Sequence, residues 1–464
     1  MDDVVAASGS HVGAEIGAKG DSSLRKFTAG VCWFQIFVSD VFYSFSPLAL
    51  PISSAFAPEG NSASLDHGLV FYGFAILMAV QSVAVCVAIF SLESKPLLVK
   101  QRCITCSYLV WPFGWIALAL GVQFRSRVLL LALGFPLLGV TIGIQVGYLY
   151  LVLIPTMWGE MAHRGAALAG GSSALGALIW NSVFGEAINA LGFDNLTISV
   201  WIFCGLHTLG TLVGVLCINP AMHLRDMSDN TDNTSCDHAD APPRAPAKRG
   251  LTMWQLVRDW RVHLYIFVVE SFFFSGLSMK TLMSELFEKL LRLEYIAAVR
   301  YSSGCLAAYV VARFVAPLLS SGDHVFVVFG GVLAVEGAAY FLTPWVVGLE
   351  NGSNTEVAYT CLRVIGGICF AMLKSVTPLF GLRIFGLENL AKISGLFLAT
   401  ECVLGLGPSL AFSLHLHRLS AGDAAHRSYD GFFYLCAGLV WAAVFGTAVL
   451  RACCVRPGGG AEAK

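Results

Sequence analysis

Charge is what this chain lacks. Only 13 % of its 464 residues are charged, about half the ~25 % of a soluble domain. The net charge is -1, and no basic stretch with interleaved aromatics occurs, so nucleic acid is not an expected partner. Catalytic equipment is sparse as well. Cys103 and Cys106 form a lone CxxC with no second pair and no nearby His, which does not make a metal or redox site. Gly170-Gly171 has no Lys-Ser/Thr pair after it to make a phosphate cradle, and no nucleophile–base pair stands out. The fourteen cysteines are scattered, several within apolar runs (Cys32, Cys86, Cys204, Cys305, Cys402), and read as small packing residues, not a disulfide framework. Residues 1–20 are polar and acidic without the apolar core of a signal peptide. No enzyme, cofactor or metal is expected.

What the chain has is apolar length. Hydrophobic residues make up 56 %, and the mean hydropathy is +0.71. Runs of ~20 apolar residues, each enough to cross a bilayer, recur near 28–50, 67–91, 103–122, 128–155, 165–190, 197–218, 261–283, 297–319, 324–347, 357–381, 390–414 and 430–455. The longest polar break, 220–252, is rich in Asp, Asn, Ser, Thr and Pro. It is too poor in apolar surface to fold and is expected to be a disordered linker. The predicted organisation is therefore a tail (1–26), a six-span bundle (27–219), the linker (220–252), a second six-span bundle (253–455) and a tail (456–464).

Lys and Arg near the spans set the orientation. Arg25, Lys26, Lys95, Lys100, Arg102, Lys248, Arg249, Arg383, Lys392, Arg451 and Arg456 fall on one side, while the loops 57–66, 192–196 and 348–356 carry none. Both termini are expected in the cytoplasm and the plasma membrane is the default location, with an organellar membrane open. Of the two sequons on the outer side, Asn195 lies close to the membrane and Asn351 is the better glycosylation candidate.

The two halves echo each other. Ile36-Phe37-Val38-Ser39-Asp40-Val41-Phe42-Tyr43 is answered by Ile266-Phe267-Val268-Val269-Glu270-Ser271-Phe272-Phe273, and Gly143 to Pro155 by Gly366 to Pro378 at the same internal interval. Six spans, a polar linker and six related spans form a transporter architecture, with the substrate near the midplane between the halves.

Several motifs carry a family likeness: Tyr43-Ser44-Phe45-Ser46-Pro47 in span one; Gly143 to Tyr150, then Trp158, then Arg164-Gly165-Ala166-Ala167-Leu168-Ala169-Gly170; Ala312-Arg313 in span eight; and Phe385-Gly386 to Gly395 with Gly405 to Pro408 around span eleven. In this order and spacing the chain resembles the major facilitator superfamily, and within it the oxalate/formate antiporter and monocarboxylate transporter branch. The resemblance implies an all-α membrane protein of twelve helices in two pseudo-symmetric six-helix bundles, and it implies that Arg313 binds substrate. Departures are visible. The charged loop between spans two and three keeps only Glu93, Lys95, Lys100 and Arg102, span one holds no lysine, and Tyr309 stands four residues before Arg313 where animal monocarboxylate carriers have Asp.

Charges within spans are costly, ~2.5–3.5 kcal/mol at the bilayer centre on insertion scales, and mark candidate sites. Arg313 can grip a carboxylate with a two-pronged fork; its alternative role is a fixed tie between helices. Lys374 in span ten is a second candidate cation. Arg363 is expected nearer the outer end, as a solvated or gate residue. Asp40, Glu270 and Glu401 are candidate proton-coupling acids, and Glu336 is expected at a helix interface. Tyr43, Tyr150 and Gln145 are candidates to orient the substrate, and His207 reads as structural. The glycines of spans five and eleven read as close-packing positions for rocking.

The expected function is a proton-coupled carrier of a small organic anion, a monocarboxylate such as pyruvate or lactate, working as a monomer by rocking of its halves. The alternatives are a carrier of an amino acid or other zwitterion on the same fold, or a non-transporting sensor or scaffold.

Overall fold

The computed structural model describes residues 33, 36–37, 46–56, 68–92, 95, 97–148, 160–234, 251–281, 283–320, 324–348, 352–400 and 423–454. Among them there is no strand, and 9 helices are long and apolar enough to cross a membrane. Helices dominate because a bilayer offers no water to the backbone, so every N–H and C=O must be satisfied within its own segment.

The helices are labelled here in chain order: α1 (Ser46–Ala55), α2 (Gly68–Leu92), α3 (Leu97–Gln123), α4 (Phe135–Tyr148), α5 (Glu160–Leu191), α6 (Leu196–Thr234), α7 (Trp260–Thr281), α8 (Tyr295–Leu319), α9 (His324–Val347), α10 (Gly352–Phe385), α11 (Leu387–Thr400) and α12 (Asp423–Cys454). Each falls on one of the twelve expected spans. Helices α1, α4 and α11 are shorter than their spans, whose remainders lie partly outside the described residues. A π-helical turn, Leu129–Gly134, leads into α4. Helix α6 runs on to Thr234, into the polar stretch expected to be disordered from residue 220. The reason is local. Helix α6 enters that stretch with its backbone ladder already formed, so residues beyond Pro220, which itself has no N–H to donate, extend it without a new nucleation cost. The chain re-enters through a short helix, Met253–Arg258, with a Thr252–Gln255 capping box. The Leu251 backbone is tied to α11 by Asn389 (2.8 Å) and Lys392 (3.2 Å).

The duplication is visible in the packing. In the first half α2 packs on α4, α3 on α4 and α3 on α6; in the second α8 packs on α10, α9 on α10 and α9 on α12. Each pair becomes its counterpart on adding six to the helix numbers. The interface between halves obeys the same rule, since α5 lies along α8 and α2 along α11.

Glycine permits these approaches. On α4, side chains at Gly139 and Gly143 would run into the carbonyl oxygens of Leu77 and Gln81 on α2. Gly171 and Gly185 of α5 face Phe314 and Val299 of α8 at distances that leave no room for a Cβ. Small residues facing one another let membrane helices pack closely without a hydrophobic driving force. Polar contacts reinforce the α5–α8 seam: the Asn181 amide donates to the hydroxyls of Ser302 (3.3 Å) and Ser303 (2.8 Å), and Arg300 pairs with Glu186 (2.8 Å).

Candidate anion-binding site

Arg313 is buried on α8, 5 % exposed. Its Nε donates to the Gly170 carbonyl of α5 (3.0 Å) and its Nη2 approaches the Ser173 hydroxyl (3.4 Å). Its own carbonyl accepts from Ser375 of α10 (3.4 Å). The guanidinium therefore ties the two halves together, and Gly170 is the position at which any side chain would crowd it. The tying role weighed beside substrate binding is the one the geometry displays, with a backbone carbonyl as partner.

A second cluster lies on the other side of Tyr309. A narrow pocket with about 370 Å³ of empty space, its mouth included, is lined by α7, α8 and α10, with Tyr340 contributed by α9. Two cations reach it, Lys280 (5 % exposed) and Arg363 (3 % exposed). Lys280 Nζ stands 4.0 Å from the centre of the Tyr309 ring, and the Arg313 guanidinium carbon lies 5.8 Å from the same ring. Tyr309 thus stands between the pocket and the inter-half tie, its ring approached by a cation of each.

Arg363 is held by neutral groups. Its Nη1 donates to the Met279 sulfur (2.9 Å) and its Nη2 to the Thr343 hydroxyl, while Nε has no hydrogen-bond partner among the described residues. Aromatic rings surround it: Tyr340 at 5.6 Å, Tyr359 at 5.2 Å and Phe433 at 5.1 Å. Ring faces attract a cation without neutralising it, so the guanidinium keeps both charge and donor capacity. Arg363 was expected to be solvated near the outer end; it is buried, because α10 begins as early as Gly352 and Tyr340, Tyr359 and Phe433 close over it. The open Gly366-Gly367 edge and the apolar side chains Leu306 and Phe370 complete the pocket.

The other candidate residues are placed as follows. Glu270 is buried on α7 and accepts from Thr400 of α11 (2.9 Å), away from the pocket lining. Lys374 is partly buried on α10 beside Ser375, the residue bonded to Arg313. Gln145 is buried on α4, and neither end of its amide has a partner among the described residues. Asp40, Tyr43, Tyr150, Glu401 and Asn351 lie outside the described residues. Glu336, expected at a helix interface, is there and fully buried. His207 is sandwiched by Trp115 (4.3 Å) and Trp180 (4.1 Å); its nitrogens make no well-formed hydrogen bond, and the Phe37 backbone is the polar group beside it.

Sequence reading did not single out Lys280 as a site residue. The available signal was a lysine in the last turn of α7, following a run of aromatic, small and apolar residues within the expected span.

No protein-family description matches the sequence, and no curated protein matches it. The fold does have known relatives: the chain has the major facilitator fold. It superposes on the human organic anion transporter MFSD10 (TETRAN) with a TM-score of 0.58 and 14 % identity, over 91 % of this chain and 99 % of that one.

Proposed function

We propose that this protein is a secondary transporter of a small organic anion. The observation that carries the reading is the presence of two buried cations, Lys280 and Arg363, on the lining of one narrow pocket whose remaining walls are tyrosine and apolar side chains. The Arg363 Nε has no hydrogen-bond partner among the described residues, so this guanidinium can still donate to a ligand. A carboxylate would meet the Lys280 ammonium and the vacant Nε of Arg363, and its short carbon chain would lie against Leu306 and Phe370. In this reading Arg313 ties α5 to α8 instead of touching the anion, and the halves rock about the α5–α8 and α2–α11 seams. The pocket is narrow, which favours short monocarboxylates of the pyruvate and lactate class over bulkier anions, and proton coupling would make their entry electroneutral. The organic anion transporter that shares the fold supports the anion class.

The test is exchange in proteoliposomes. Vesicles loaded with unlabelled pyruvate should take up labelled pyruvate, with competition by lactate and none by alanine. Absence of exchange with any short carboxylate refutes the anion class, and competition by alanine in place of lactate would assign a zwitterion instead.

A further inference from the structure

Behind the pocket sits an acid to which no role has been given above. Glu336 of α9 is 0 % exposed. Its Oε1 accepts from the Tyr340 hydroxyl (3.0 Å), and its Oε2 has no hydrogen-bond partner among the described residues. We infer that Glu336 is the proton-binding group of this carrier, loaded when an anion occupies the Lys280–Arg363 pocket; the inference rests on the anion-carrier reading of that pocket.

Three observations converge on it. A carboxylate oxygen shut away from water without a donor is the costly arrangement, and protonation removes the cost. Next, Arg363 acts on Glu336 electrostatically without forming an ion pair with it. The charge on that guanidinium is therefore felt at the acid, and a ligand that offsets it acts on both groups. Finally, Tyr340 belongs to both places, since its hydroxyl bonds Glu336 and its ring lines the pocket against Arg363.

Among the described residues, the other titratable groups around the acid do not supply that offsetting charge. Helix α9 packs on α10 and α12. From α10, Arg363 and the Cys369 thiol act on Glu336; from α12, the Cys436 thiol does; its own helix contributes Tyr340. Of these only Arg363 is charged. An anion seated on Lys280 and Arg363 offsets the guanidinium's field at Glu336, so the acid holds one proton more tightly while the pocket is occupied. When the anion leaves, that field returns and the hold on the proton loosens. Linkage makes the effect reciprocal, so protonated Glu336 raises the pocket's affinity for the anion. The pair moves as one anion and one proton, with no net charge carried.

The experiment uses the full chain in proteoliposomes with labelled pyruvate and an entrapped pH dye. In the parent, an inward proton gradient should drive accumulation and each pyruvate should bring in about one proton. In Glu336→Gln, gradient-driven accumulation should fall at least tenfold, to the level without a gradient, and whatever exchange the variant supports should no longer vary between pH 5.5 and 7.5. Tyr340→Phe, which keeps the ring and removes the bond to Glu336, should shift the pH midpoint of exchange; this variant decides the matter if Glu336→Gln does not fold. Gradient-driven accumulation of parental size in Glu336→Gln, or an unshifted pH midpoint in Tyr340→Phe, overturns the inference while leaving the anion reading intact. Absence of pyruvate exchange in the parent overturns both.

Discussion

Replacing Arg363 by Gln should weaken anion binding steeply while leaving the protein folded. The change removes the positive charge and keeps a donor of similar length. The Thr343 hydroxyl and the Met279 sulfur, the present partners, are neutral, so neither is left as an uncompensated ion. Glu336 loses its nearby cation but can become neutral by taking a proton. The anion, in contrast, loses a charge-assisted hydrogen bond in a narrow, largely apolar pocket. Such bonds contribute about 1.5–3 kcal/mol, and 1.4 kcal/mol is a factor of ten. The half-saturating pyruvate concentration in exchange should therefore rise about 10- to 100-fold. Lys280→Gln should do the same through the ammonium, and because both cations grip one carboxylate, the double variant should fall short of the product of the two effects. The assay is initial exchange at graded pyruvate, normalised to monodisperse reconstituted protein. A half-saturating concentration within twofold of the parent in well-folded Arg363→Gln would refute the reasoning.

Arg313→Ala would leave the Gly170 carbonyl and Ser173 hydroxyl of α5 without their partner and should lower stability by about 1–3 kcal/mol, measured as a depressed Tm, with the half-saturating pyruvate concentration nearly unchanged. Gly143→Leu forces a side chain against the Gln81 backbone and should cost about 1–3 kcal/mol or more. Gly366→Ala, its counterpart in the repeat, meets nothing within 4 Å and should hold or raise the Tm. Asp259 accepts from both the Arg261 side chain and the Arg261 backbone N–H at the start of α7, and the Arg261 guanidinium holds its carboxyl below the usual carboxylate range. Its contribution is present above the unfolded value near 3.9 and lost as pH falls through the lower folded value. Asp259→Asn should therefore reduce stability by under ~1 kcal/mol at pH 7 and by less as the medium is acidified, in a thermal melt series.

The architecture was legible because it depends on long-range patterns that a bilayer enforces. Apolar runs marked the helices, and the Gly143–Pro155 and Gly366–Pro378 intervals marked the duplication that α2–α4 and α8–α10 packing displays. The site was legible only in part. Arg313 announced itself as a charge deep within an apolar run, but sequence could not show that its donors face the Gly170 carbonyl. Lys280 and Arg363 stood near the ends of their expected spans, where a cation ordinarily reaches water along its own stem. What buries them is tertiary: Tyr309, Tyr340, Tyr359 and Phe433 come from four separate helices. The same holds for Glu336, whose neighbour Arg363 is on another helix. Helix α6 shows the converse difference, since composition at 220–234 argues for disorder while the helix that precedes it extends to Thr234.

The central claim, that Lys280 and Arg363 hold a carboxylate, is tested most directly by ligand-dependent thermal stability of the purified protein. A ligand that binds only the folded state stabilises it by RT ln(1 + [L]/Kd). Sodium pyruvate should raise the Tm in a saturable manner beyond sodium chloride at equal ionic strength, and the shift should vanish in the Lys280→Gln/Arg363→Gln double variant. An equal shift in parent and double variant, or none in the parent with any short carboxylate, would contradict the account.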